Sequence, residues 1–370
     1  MKLNKTYAVA SIFAAGTLAL SACSDNTSTT SSGANNGSAT NAGSSTIKCG
    51  TGALNASGSS AQAKAIDTWQ AKFAAICPDM TINYDPAGSG QGVKDFIAAK
   101  TDFAGSDSAV KDADKTAADA RCSTGKAINL PMVIAPVAIA YNLKGVDKLI
   151  LNGEVTADIF EGKITTWNDP AIAALNKGVK LPSSTITTIH RSKDSGTTDN
   201  FTKFLAAASN GKWTFPGGKS WSAPGGQGAP DSAGVVAAVK SNDGSIAYVD
   251  GPDAKGNSLS TAALDSGSGP VTISDASVGK AVSAAKTTGT GNDLVISLAY
   301  DLKEAGAYPA VQVTYEIVCE KGLAADKTKS VKAFMTYAAT DGQKELSALG
   351  YSPLPAELQT KVADAIKAIS

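Results

Sequence analysis

Residues 185–204, TITTIHRSKDSGTTDNFTKF, hold the residue types from which a site for a small anion is built. The segment reads as a β-branched strand, one arginine, a Ser-Gly-Thr turn and the start of a helix. A strand entering a helix through such a turn leaves backbone N–H groups free at the positive end of the helix dipole. Arg191 adds a planar, permanently charged fork of donors. Ser195, Gly196 and Thr197 form the turn. The set suits a compact, multiply charged oxyanion, although each part alone also reads as an ordinary helix cap beside a surface arginine.

Two other segments repeat the pattern. Ser57-Gly58-Ser59-Ser60 precedes an apparent helix running to Trp69, and Gly88-Ser89-Gly90 precedes another. Each offers hydroxyls and N–H donors at a helix start. Asp102-Phe103-Ala104-Gly105-Ser106-Asp107 then brings a carboxylate. A carboxylate beside an anion makes sense when the anion carries a proton, because Asp107 then accepts a hydrogen bond from it. Phosphate has such a proton near neutral pH. Sulfate has none and sets acceptor against acceptor.

The elements that must position these residues alternate between short apolar strands and helical stretches, which argues an α/β fold. Strands are expected at Thr81–Tyr84, Ser245–Val249 and Gln312–Cys319. Helices are expected at Val93–Ala99, Ala157–Trp167, Asp169–Leu175 and Val331–Ala339. Leu130–Tyr141 is almost wholly apolar with two prolines and reads as buried extended chain crossing between domains. Gly211–Asp231 is rich in Gly and Pro and reads as a long loop. Its Gly217-Gly218-Lys219-Ser220 is not a nucleotide P-loop, since Trp213 stands where the first glycine belongs.

The N-terminus reads as an export signal over residues 1–22, with Lys2 and Lys5 ahead of an apolar run too short to span a bilayer. Leu20-Ser21-Ala22-Cys23 matches a bacterial lipobox, so Cys23 is the expected lipidation (palmitate) site. Residues 23–46 are rich in Ser, Thr, Asn and Gly and read as a tether. Four cysteines remain: Cys49, Cys77, Cys122 and Cys319. An even number in an exported chain points to two disulfides. Three pairings are possible, and Cys49–Cys77 with Cys122–Cys319 is favoured because the first pair is local. No cofactor and no metal are expected. Without Lys2 and Lys5, 31 of the 33 basic residues face 33 acids, a net charge of −2. A nearly neutral chain with no basic run argues against nucleic acid.

In order along residues 47–355, these motifs resemble those of the phosphate-binding lipoproteins that serve high-affinity phosphate ABC transporters. Ile159-Phe160-Glu161-Gly162-Lys163-Ile164, Trp167-Asn168-Asp169-Pro170 and Gly350-Tyr351-Ser352-Pro353-Leu354-Pro355 extend the likeness. The tether and the four cysteines are most similar to actinobacterial members. The resemblance implies a type II-like, two-lobed periplasmic-binding-protein fold with two hinge crossovers, near Pro136 and near residues 308–311. Lobe I is then 47–136 plus 311–370, and lobe II is 137–310. It further implies phosphate held by Ser60, Ala61, Ser89, Asp107, Arg191, Ser195, Gly196 and Thr197. It implies a monomer, lipid-anchored on the extracytoplasmic face of the cell membrane, that delivers phosphate to a permease. Two positions depart from the family. Ala61 replaces a larger apolar residue. Lys193 stands where many members carry an acid that holds the arginine, so either Asp194 takes over or the site is more positive than usual.

Other readings fit less well. A serine hydrolase needs a base beside its serine, and His190 is the chain's one histidine, inside a strand with a structural role expected. A metal-dependent phosphatase needs clustered His and carboxylates. The nearest alternative is a binding protein for another tetrahedral oxyanion, sulfate or molybdate, with Asp107 as the discriminator.

Overall fold

The computed structural model describes residues 47–370. The expected signal segment, Cys23 and the tether lie outside them.

Fourteen strands form three sheets. The main sheet has nine: β1 (Gly52–Gly58), β2 (Met80–Asp85), β3 (Phe103–Ser106), β4 (Ala127–Asn142), β6 (Thr187–Arg191), β7 (Gln227–Ala229), β8 (Ser245–Asp250), β9 (Ser260–Thr261) and β14 (Val311–Cys319). A small sheet joins β5 (Ile150–Leu151), β10 (Ala263–Asp265) and β11 (Pro270–Val271). A two-stranded ribbon pairs β12 (Lys286–Thr287) with β13 (Ile296–Ser297). The main sheet runs β2-β1-β3-β14-β4-β8-β6-β7, with β9 beside β4.

The apolar stretch read as crossing chain is β4, buried along its whole length except its last residue. Its first part, Ala127–Pro136, pairs antiparallel with β14; its second, Val137–Asn142, pairs antiparallel with β8. The switch of partners falls at Pro136, which has no N–H to give to a ladder. Pro136 is opposite Val311 in register, and the Val137 N–H donates to the Ala310 carbonyl at 2.7 Å. Both expected crossing points therefore lie side by side. Pro131 also sits inside β4; beside it Met132 bulges out of register, and Gln343 donates to the freed Met132 carbonyl at 2.9 Å.

Strands β1, β2 and β3 run parallel, as do β6, β7 and β8. Each end-of-strand turn feeds a helix: α1 (Ala63–Ile76) after β1, α2 (Ser89–Ile97) after β2, α3 (Asp112–Arg121) after β3. Later come α4 (Gly153–Phe160), α5 (Pro170–Leu175), α6 (Gly196–Ala208) after β6, α7 (Ser232–Ser241) after β7 and α8 (Gly251–Gly256) after β8. Carboxyl ends of parallel strands are where open α/β sheets bind ligands. Buried aromatics anchor both halves: Phe73 meets Phe334 edge-on with ring centres 5.4 Å apart, and Phe201 stacks on Tyr248 at 4.4 Å.

The helix expected over residues 157–167 starts and ends earlier. Gly162 turns left-handed at φ +76°, and Thr166 then bridges to Thr185 in extended form. The disulfides are Cys49–Cys77 and Cys122–Cys319, the favoured pairing.

Candidate functional site

Four turns at strand ends converge. After β1 the chain bends through Ser59–Gln62. After β2, Gly88 takes φ +102°, a conformation open to glycine, and sets Ser89 at the start of α2. After β3 comes Asp107. After β6, Ser195 caps α6, its hydroxyl accepting from the Thr198 N–H at 3.4 Å.

Asp107 is 3% exposed and accepts three hydroxyl hydrogen bonds. Ser59 donates to Oδ1 at 2.5 Å, Thr314 to Oδ1 at 2.7 Å and Ser89 to Oδ2 at 3.0 Å. The Asp107 N–H returns to the Ser89 hydroxyl at 3.1 Å. Burial pushes the carboxyl above its ordinary range, while the three hydroxyls and the Arg191 charge pull it back. A carboxylate has roughly four lone-pair directions, so three donors leave one acceptor site.

Arg191 is 3% exposed at the end of β6. One Nη donates to Ser60 Oγ at 3.1 Å and Ser195 Oγ at 3.0 Å; the other donates to the Pro230 carbonyl at 3.3 Å. Its Nε is buried without a partner. Its main-chain N–H donates to the Tyr248 hydroxyl at 3.0 Å. Ser60 also meets Ser232 Oγ at 2.9 Å, and Thr197 donates to Asp250 at 3.0 Å. A cavity of about 10 Å³, room for about one water, lies between Arg191, Thr197, Ser232, Tyr248 and Asp250.

Gly196 closes the gap between the two clusters. A Cβ there would lie 2.5 Å from Asp107 Cβ and 2.6 Å from Ser89 Oγ. The eight residues expected from the sequence thus come together around one point, from turns up to 137 positions apart between Ser60 and Thr197. Several of their donors are engaged within the site: besides the hydroxyls of Ser89 and Thr197, the Ala61 N–H donates to Ser59 Oγ at 3.1 Å.

A family model described as a PBP superfamily domain matches residues 28–342. Phosphate-binding protein PstS 3 of Mycobacterium leprae is 43% identical over 376 residues, covering 100% of both chains. PstS 2 of Mycobacterium tuberculosis is 42% identical over 379 residues, again across 100% of both. The chain belongs to the PstS family of phosphate-binding proteins.

Solved structures agree on the fold. A high-affinity periplasmic phosphate-binding protein bound with phosphate at pH 8.5 superposes with TM-score 0.66 at 21% identity, over 85% of this chain and 93% of that one. A phosphate-binding protein from Stenotrophomonas maltophilia gives 0.64 at 20% identity, over 84% and 93%. The PstS-family chain has their two-lobed fold.

The Arg191 guanidinium is held by two hydroxyls and a carbonyl. Asp194 does not take over from the missing acid. Its carboxylate accepts from Ser220 at 2.5 Å and pairs with Lys94 at 3.1 Å. Among the described residues no carboxylate pairs with the Arg191 guanidinium within 4.0 Å. Lys193 is exposed. His190 has the structural role expected of it, its ring stacked on Trp221 at 5.1 Å and its Nδ1 on the Arg191 carbonyl at 3.0 Å.

Sequence reasoning missed Ser59, Ser232, Asp250 and Thr314. Asp250 directly follows the expected strand 245–249, and strand ends are where the other site residues fall. Thr314 lay inside an expected strand, where alternation alone gives no hint of a polar contact. Nothing near Ser232 marks it apart from its place at a helix start.

Proposed function

We propose that this chain captures inorganic phosphate between its two lobes and delivers it to the membrane permease of an ABC transporter. Among its PstS relatives are proteins named for binding phosphate, and none of the reported relatives is named as an enzyme. The observation that carries the reading is the pairing of opposites in one buried site. Arg191 offers a charge that no carboxylate among the described residues pairs with directly, and Asp107 offers a single remaining acceptor. A buried dianion needs charged and dipolar donors to offset its desolvation. Arg191, the hydroxyls of Ser60 and Ser195 and the helix-start N–H groups of Ser89, Gly196 and Thr197 are the donors we assign, with Ala61 beside them.

Asp107 gives the ligand its identity. A hydrogen phosphate donates its proton into the remaining lone pair, whereas sulfate and molybdate bring only acceptors. Calorimetric titration of the three anions tests this. Phosphate is expected to bind and sulfate not to bind at equal concentration; equal heats from sulfate reject the assignment.

The same reading places lobe I at 47–136 plus 311–370 and lobe II at 137–310, with closure as a hinge motion around the ligand. Residues 292–296 lean back onto lobe I, where Leu294 donates to the Asn129 carbonyl and Asn292 to Glu320. Lipid attachment at Cys23 would hold the chain, as a monomer, on the extracytoplasmic face of the membrane. A single acyl chain anchors weakly, so attachment of more than one is implied. No nucleic acid and no cofactor enter the scheme.

A further inference from the structure

A second buried carboxylate touches the site. Asp250 ends β8 at 1% exposure. Its Oδ1 accepts from Thr197 Oγ1 at 3.0 Å and from Gln312 Nε2 at 2.8 Å. Its Oδ2 accepts from Ser232 Oγ at 3.0 Å. Ser232 meets Ser60 at 2.9 Å, and Ser60 accepts from Arg191 at 3.1 Å. Asp250 therefore contacts one assigned phosphate ligand directly and a second through one hydroxyl.

Each hydroxyl has one hydrogen to give. When Asp250 is ionised, Thr197 and Ser232 both point their hydrogens at it. Ser60 then donates to Ser232, and neither Ser60 nor Thr197 has a hydrogen left for an anion. When Asp250 is protonated at Oδ2, it donates to Ser232. Ser232 then donates to Ser60, and the Ser60 hydrogen is released toward the crevice. One proton reverses the direction of the whole relay and removes a negative charge from beside the ligand.

We propose that Asp250 takes up a proton from solvent as phosphate binds, turning the Ser232–Ser60 relay outward so that Ser60 donates to the anion. This rests on the phosphate-binding reading above. Asp250 is a positioning residue, acting through Ser232 and Ser60. No covalent bond other than that to the proton changes.

The surroundings favour such uptake. Burial comes first in raising the Asp250 carboxyl, followed by the charges of Asp253 on α8 and Asp107. Arg191 and the Ser232 hydrogen bond act the other way. Asp253 is itself paired with Lys64 at 2.8 Å. Gln312 from β14 and the phenols of Tyr248 and Tyr351 complete the groups facing it. An arriving dianion adds further negative charge and raises the carboxyl again, so the sign is fixed: uptake strengthens binding at lower pH and is lost as pH rises.

The test is phosphate calorimetry on the full chain in buffers of different ionisation enthalpy, from neutral to mildly alkaline pH, with the ionisation of free phosphate subtracted. The partner variant is Asp250→Asn, whose amide nitrogen donates to Ser232 as the protonated acid does while its oxygen accepts from Thr197 and Gln312. The wild type is expected to take up about one proton more per bound phosphate than the variant, and to lose up to about tenfold more affinity per pH unit on the alkaline side. The variant still binds. An equal proton count in the two chains overturns the inference alone, and a wild type that binds no phosphate overturns the functional reading with it. Carboxyl ¹³C NMR of the wild type covers a variant that does not fold. One aspartate must turn from ionised to protonated on phosphate addition, and none doing so overturns the proposal.

Discussion

Replacing Asp107 by asparagine isolates the proton check from the rest of the site. The residue is isosteric: its amide oxygen in place of Oδ1 still accepts from Ser59 and Thr314, and its nitrogen in place of Oδ2 donates to Ser89, whose hydroxyl rotates to accept. The local packing therefore survives. What changes is the lone pair facing the ligand. Phosphate loses a hydrogen bond to a charged acceptor, worth about 1.5–3 kcal/mol, or roughly 10- to 150-fold in affinity. Sulfate loses a repulsion and gains. The phosphate-to-sulfate affinity ratio, measured by calorimetry at one ionic strength, is expected to fall by at least the phosphate factor alone. An unchanged ratio, with the variant folded, refutes the role given to Asp107.

Arg191→Ala is expected to weaken phosphate binding by about 1.5–3 kcal/mol in the same titration, because it removes charged donors that no other side chain replaces. Gly196→Ala should leave the ligand-free melting temperature nearly unchanged and abolish compaction on phosphate addition in small-angle scattering. The added Cβ would sit 2.5 Å from Asp107 Cβ and so blocks the approach of the two turns. Glu316 on β14 is fully buried with neither carboxylate oxygen hydrogen-bonded, and burial pushes its carboxyl from 4.5 up to about 8, with Gln62 lowering it and Asp107 raising it. A raised carboxyl stabilises the fold below its unfolded value and loses that contribution as pH climbs toward about 8. Glu316→Gln is therefore expected to flatten the decline in thermal stability across that window, by a few kcal/mol to order of magnitude. A decline as steep as the wild type's removes Glu316 from the account.

The parts of the fold legible in the sequence were those with a local cause. β4 showed as an apolar run because both of its faces are buried. Ser195 and Ser89 showed as helix starts because capping chemistry is local. The helix placed over residues 157–167 failed at its end because Ile164 and Trp167 are apolar at helix-like spacing, yet they are buried from irregular chain and a turn on either side of the Thr166 bridge. The site divided in the same way. Arg191 and the three turns were visible from residue types and order. Thr314, Ser232 and Asp250 were not, since each earns its role through a partner 18 to 207 positions away. The arrangement of Asp194 with Lys94 is equally non-local, and no spacing rule could have taken Asp194 away from Arg191.

One strand with two sets of neighbours has a mechanical meaning. Because β4 is one continuous strand from Ala127 to Asn142, paired on both sides of Pro136 with a single bulge at Met132, the halves are joined by a stiff leaf rather than a loose pin. Bending concentrates at Pro136, where a hydrogen-bond donor is missing. Both halves then turn about one short segment. The crevice should therefore shut in one concerted swing, and reporter dyes set on either side of it should register phosphate as a single step rather than a drawn-out series.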